Sequence, residues 1–267
     1  MTAYSPTAPE AIPLRGSRTA VVVAHPDDEA LWLSSVLASS DRVVFCFGPL
    51  FERPDTSEAR RKAVAALPLT GIVDLAIPES GAGSHIDWVQ PQATATGVRI
   101  CDAAARARYE SNYARLIAAL RAPLAGIEDV CTHNPWGEYG HTEHIQVYRA
   151  VAALQQELKF TLWFSNYVSP TTWPLARAIG NELRSAERRV LRPDRALARR
   201  LMRIYRHYGA WTWKPDHRWP AHEAIYALSP PGSARPPRPA SEEWLLDVGR
   251  LRWWSALQPF ARRRLPY

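Results

Sequence analysis

The 267-residue chain is expected to fold as an α/β protein, a Rossmann-like, doubly wound, mostly parallel sheet with a mainly helical C-terminal extension. Three observations predict this. Short apolar runs recur along the first 170 residues with helical segments between them. The first two runs, residues 20–24 and 43–47, are continuous rather than alternating, as strands buried on both faces are. Beyond residue 170 the alternation gives way to arginine, tryptophan and proline.

Taken in order, strands are expected at 20–24, 43–47, 72–77, 130–133 and 161–167, and helices at 29–39, 57–67, 102–121 and 142–158. Strand and helix alternate, which is the pattern of parallel βαβ units. Residues 1–170 therefore read as the core and 171–267 as an Arg/Trp-rich extension packed on it. Within the extension, Pro193-Asp194 opens a helix in which Leu197, Leu201, Ile204 and Tyr208 form one apolar stripe, with Arg195, Arg199, Arg203 and Arg206 lying away from it. A tryptophan-rich stretch, "WTWKPDHRWPAHEAIYAL", and the loop "SPPGSARPPRPAS" precede a final helix at 242–263 carrying Trp244, Trp253 and Trp254. Those aromatics need a surface to bury against.

Composition narrows the function classes. Hydrophobic residues make up 46% of the chain, enough for a sizeable core. Cys46, Cys101 and Cys131 are odd in number and widely spaced, so no disulfide framework is expected and a reducing compartment is. "MTAYSPTAPEAIPLRGSR" has no apolar signal-peptide run, and no stretch is long enough to span a bilayer, so a soluble, cytoplasmic protein is expected. Between Arg177 and Arg206 ten arginines stand against Glu182, Glu187 and Asp194, a surplus equal to the whole net charge of +7. Such a run is a solvated helix face or a surface for phosphate-bearing substrates. Peripheral contact with anionic lipid is compatible with it but not expected, and no recognition motif points to nucleic acid. "GAGSH" lacks phosphate-loop spacing, so nucleotide cofactors find no support.

The chemistry concentrates in two stretches. "AHPDDE" follows the first strand, where open α/β sheets bind ligands. Asp27, Asp28 and Glu29 repel one another there, and burying them requires a compensating cation, or at least the N-terminus of the helix that follows. Pro26 stiffens the turn between His25 and Asp28, three residues apart, which can share one divalent ion. "CTHNPWGEYGHTEH", residues 131–144, again follows a strand and opens a helix. His144 is in phase with Val147, Val151, Leu154 and Leu158 and so faces the sheet. Two strand ends delivering histidine and carboxylate to one edge favour a metal site over two unrelated caps. On the same loop His133 and Asn134 are candidates to line the pocket, and Trp136 to stack on a sugar face. After the second strand, Arg53, Arg60 and Arg61 are candidates to meet an anionic group.

These two stretches resemble the signatures of the LmbE-like, or PIG-L, family of zinc-dependent N-acetyl-sugar deacetylases, over about residues 18–170. The resemblance implies His25, Asp28 and His144 as zinc ligands and Asp27 as general base. It implies that His141 stabilises or protonates the reacting group and that Tyr139 contacts the oxyanion. Glu143 stands where the family commonly has the aspartate that orients the catalytic histidine. Two histidines and a carboxylate leave zinc an open position, and Fe(II) fits the same donors. The partner implied is a small-molecule N-acetylated sugar conjugate, of the N-acetylglucosamine type with a nucleotide- or lipid-linked aglycone, which yields acetate and a free amino sugar.

Three other readings share parts of this pattern. A non-haem iron oxygenase uses two histidines and a carboxylate but predicts a mainly β chain. A non-catalytic sugar- or lipid-binding relative would have lost a ligand or the base. A deacylase or amidase acting on a non-sugar amide would keep the same metal chemistry.

Overall fold

Strand β1 (Thr19–Val23) is a run of small and β-branched residues buried along its whole length, which suits the middle of a sheet covered on both sides. In the computed structural model, which describes residues 17–50, 53–180 and 187–228, it lies inside a seven-stranded sheet. β2 (Arg42–Phe47) and β3 (Ile72–Ile77) flank it on one side, β6 (Asp129–Thr132) and β7 (Thr161–Ser165) on the other, all parallel. Register sets Val21 opposite Val43 and Cys131. Successive side chains point to opposite faces, so β1 feeds two cores. Ala20 and Val22 pack towards α3 (Ala103–Leu124) and α4 (Thr142–Leu158). Val21 and Val23 pack towards α1 (Asp28–Trp32), α2 (Pro54–Ala65) and α6 (Arg195–His207). The doubly wound α/β class expected from the sequence is the one observed. A two-stranded hairpin, β4 (Ala93–Thr94) with β5 (Gly97–Val98), lies before α3.

Two regions depart from expectation. The helix expected over 29–39 is helical only to Trp32 and resumes as a single tight turn at Leu37–Ser39. Ser34 and Ser35 interrupt it, residues whose side chains compete with helical backbone. In the described part of the extension, strands stand where none were expected. After α5 (Trp173–Gly180), β8 (Glu187–Leu191) and β9 (Glu223–Leu228) join the sheet, with β9 antiparallel to β7 and β8 forming the edge. An edge strand exposes one side and tolerates charge. β8 reads ERRVL, with Arg189 lying over the Trp163 ring at 4.9 Å, so it shows no apolar run. α6 forms as expected. The Asp194 side chain caps it by accepting from the N–H groups of Ala196 and Leu197, and Leu201 and Tyr205 are buried while the arginines are exposed. The helix expected at 242–263 lies outside the described residues. Cys46 and Cys131 are buried free thiols, Cys101 an exposed one. No described helix is long and apolar enough to cross a membrane.

β9 opens with a buried carboxyl group. Glu223 is 2% exposed and accepts the Tyr167 hydroxyl at 2.9 Å. Burial, partly offset by the neighbouring Ser35 and the Tyr167 hydroxyl, raises its pKa from 4.5 to about 7. The folded chain therefore holds this proton more tightly than the unfolded chain. The stability it contributes is full below pH 4.5 and is lost as pH rises to about 7. Glu223→Gln should remove that loss, on the order of 3 kcal/mol at pH 8 relative to pH 4.5. Urea midpoints of both proteins at the two pH values check it, and a parallel pH dependence would contradict it.

Candidate metal centre

Strand order reverses between β1 and β6, so their carboxyl ends open the crevice at the switch point of the sheet. Each strand runs directly into one of the two sequence stretches. The ends are tied together, since the Ala24 N–H donates to His133 Nε2 at 2.9 Å. Immediately after β1 the chain turns sharply. Asp27 takes φ 103°, and Asp28 and Glu29 form the first turn of α1. After β6, Gly137 at φ 73° lets the loop fold back onto the start of α4. A side chain there would place Cβ 2.6 Å from the His141 carbonyl oxygen.

These turns bring His25, Asp28 and His144 together. Asp28 Oδ2 lies 3.2 Å from His25 Nδ1 and 3.2 Å from His144 Nε2, with His133 Nε2 at 3.5 Å. The other Asp28 oxygen accepts the Trp32 indole N–H at 3.0 Å. All three residues are at most 4% exposed. Among the described residues, donor atoms within 4.8 Å of one another occur in three overlapping groups. One is His25, His141 and His144, another is Asp28, His133 and His144, and the last is His25, Glu79, His141 and Glu143. The expected ligands thus span the first two groups, with His144 common to both.

Glu138 sets the state of this cluster. Its Oε2 lies 2.8 Å from His144 Nδ1 and 3.1 Å from His133 Nδ1, while Oε1 accepts the Asn134 N–H. The hydrogen-bond pattern assigns the Nδ1–H tautomer to His144, which turns the Nε2 lone pair towards Asp28. His144 Nε2 is buried and has no hydrogen-bond partner. A buried lone pair facing a carboxylate oxygen at 3.2 Å is unfavourable unless a cation lies between them. Charge points the same way. Burial lowers the pKa of His25, but Glu79, Asp28 and Glu143 around it raise it to about 10. The donor set and its orphaned nitrogen fit a divalent cation such as zinc.

The remaining expected residues fall into two sets. Asp27 is 2% exposed, and burial followed by the charge of Asp28 raises it to about 7. His141 is the most open of the cluster's histidines, with 23% of its side chain exposed. Burial, His25 and His144 hold it neutral, well below the usual imidazole range. Tyr139 is half-buried, its ring 5.4 Å from that of His144 and 4.7 Å from that of Trp213. The other expected residues are placed as follows. The Glu143 carboxylate lies 3.8 Å from His141 Nδ1. The extra methylene of glutamate carries that group on to His25 Nε2, at 3.1 Å, and to the N–H and hydroxyl of Ser80. Trp136 is wholly buried and donates its indole N–H to the Tyr167 carbonyl, so it packs the loop and offers no face to a sugar. Asn134 is equally buried and holds the same loop, donating to Tyr167 O and accepting from the N–H groups of Trp136 and Glu138. Arg53 is exposed at the start of α2, whereas Arg60 on that helix is buried and paired with Glu79.

Sequence reasoning missed Glu138, Glu79 and Ser80. Only Glu138 carried a signal, as a carboxylate between His133 and His141 of the second stretch. It also missed an aromatic wall beside the cluster. Trp32 stands 5.8 Å from Tyr139, 5.1 Å from Tyr167 and 5.4 Å from Trp213 between ring centres.

The fold is shared with solved proteins. The chain is similar in fold to a deacetylase of the teicoplanin biosynthesis pathway in complex with teicoplanin, with a TM-score of 0.54 and 13% identity over 79% of this chain and 98% of that one. The zinc-inhibited form of teicoplanin deacetylase Orf2 gives 0.50 and 12%, over 81% and 100%. No protein-family model matches the sequence, and no curated protein matches it either.

Proposed function

We propose that the chain is a zinc-dependent amide hydrolase of the LmbE-like type that removes the acetyl group from an N-acetylated amino sugar. The observation that carries this reading is the orphaned His144 Nε2, aimed at Asp28 and fixed from behind by Glu138. The fold shared with deacetylases supports it. His25, Asp28 and His144 would hold the ion, with Fe(II) the alternative that the same donors accept. A bound divalent cation supplies Lewis acidity, acidifying water and polarising the amide carbonyl.

The chain's own groups do the rest. Asp27, with a pKa near 7, takes a proton from the attacking water. The Tyr139 hydroxyl and a ring N–H of neutral His141 donate to the oxyanion that forms. Because His141 is neutral, the proton for the departing amine comes from Asp27, which has just gained one. Trp213 and Tyr139 offer an apolar face suited to the C–H face of a sugar. Exposed Arg199 and Arg203 on α6, the helix packed against α1, support a phosphate-bearing aglycone.

Acetate release by zinc-loaded protein tests the reading across N-acetylglucosamine compounds that are free, nucleotide-linked, inositol-linked, lipid-linked or antibiotic-linked. Turnover of at least one, abolished by a chelator and restored by zinc, is expected. Silence across all five would overturn the sugar deacetylase and leave a non-sugar amide as the substrate class.

A further inference from the structure

The turn that carries the acidic residues is gripped from the far end of the chain. The Tyr205 hydroxyl on α6 donates to Glu29 Oε1 at 2.9 Å, and Glu29 Oε2 accepts the Asp27 N–H at 3.1 Å. The Trp219 indole N–H donates to the Ala30 carbonyl. Between these two anchors, Thr212 approaches Asp27. Its backbone N–H and its hydroxyl both donate to Asp27 Oδ2, at 3.0 and 2.9 Å, across 185 residues of sequence. Oδ1 accepts no hydrogen bond from the described residues. Thr212 is exposed, so core filling does not account for its placement. Asp27 itself sits at φ 103°, a conformation that a non-glycine residue keeps only when its surroundings hold it.

We infer that Thr212 is a positioning residue for Asp27. Its paired donors fix Oδ2, which leaves Oδ1 as the oxygen that exchanges protons with water and the leaving amine. A carboxylate with one free torsion samples several orientations, and proton transfer requires one of them. Two donors on one oxygen select it. Losing the hydroxyl leaves a single donor and frees that torsion, while the metal donors keep their own partners. The inference rests on the proposed role of Asp27 as base, and it makes the segment after α6 part of the catalytic apparatus rather than an appendage.

The test compares wild type, Thr212→Val and Thr212→Ser as zinc-loaded, full-length proteins. Valine keeps the shape of threonine without the donor, and serine keeps the donor. On whichever N-acetylglucosamine compound wild type deacetylates, Thr212→Val should lose about 10- to 100-fold in kcat with KM and zinc content unchanged. Thr212→Ser should restore kcat to within about threefold of wild type. A crystal structure of Thr212→Val should show the Asp27 carboxylate rotated from its wild-type position. If wild type releases no acetate while that carboxylate still rotates, the deacetylase reading fails and the positioning role stands. An unmoved Asp27, an unchanged kcat, or a loss that serine does not rescue overturns the positioning role.

Discussion

Asp27→Asn is expected to lower kcat for acetate release by about 10²- to 10⁴-fold while the protein still binds zinc. Asparagine has nearly the volume of aspartate, and its carbonyl oxygen still accepts from the Thr212 N–H and hydroxyl. The turn and the neighbouring Asp28 are therefore retained, and only the capacity to gain and lose a proton disappears. KM should stay within a few-fold, because the base acts in the transition state and not on bound substrate. The pH profile supplies a second signature. The base works when ionised, so wild-type activity falls as pH drops through the Asp27 pKa, which burial and Asp28 set at about 7. A bound cation beside it favours the carboxylate and moves that limb to lower pH. Asp27→Asn should lack the limb altogether. Steady-state kinetics from pH 5 to 9 measure both effects, and a variant with wild-type kcat would remove Asp27 from the reaction.

Glu138→Gln should weaken zinc binding by about 10- to 100-fold, measured by competition with a chromophoric chelator. One carboxylate oxygen serves both His133 and His144, and the other accepts the Asn134 N–H. A carboxamide has one acceptor oxygen and one donor group. If the oxygen faces the histidines, the amide N–H₂ meets the Asn134 N–H, donor against donor. If it faces Asn134, both histidines lose their acceptor, and His144 is free to take the tautomer that carries its proton on Nε2. Either arrangement works against a ligand nitrogen kept deprotonated towards Asp28. The loss should appear in affinity first, with activity recovering at high zinc concentration. Unchanged affinity would show that the tautomer of His144 is set by something else.

The parts of this molecule that were legible in the sequence are those written in contiguous residues. Residues 20–24 and 43–47 read as buried parallel strands because neither run alternates, and the strands Thr19–Val23 and Arg42–Phe47 do pair in parallel inside the sheet. His25 with Asp28, and His141 with His144, were visible because each pair follows a strand and opens a helix. What the sequence hid depends on where a side chain ends. Glu138 lay in plain view, but its reach to two histidines follows from φ 48° at that residue and the reversal at Gly137. Glu143 was read through the shorter aspartate of a related pattern, and one methylene redirected it to His25. Ser80 and Thr212 reach the site from segments 63 and 185 residues away from their partners, with no local motif to mark them. Strand β8 escaped because an edge strand rich in arginine has the composition of a solvated loop.

The claim on which the rest depends is that the ends of β1 and β6 form one metal centre. Its most direct measurement is an anomalous difference map at the zinc edge from crystals of the zinc-loaded protein. One peak within about 2.0–2.2 Å of nitrogens of His25 and His144 and of an Asp28 oxygen is the predicted result. A peak held instead by His141, Glu79 and Glu143, or no peak at the switch point, would contradict the account.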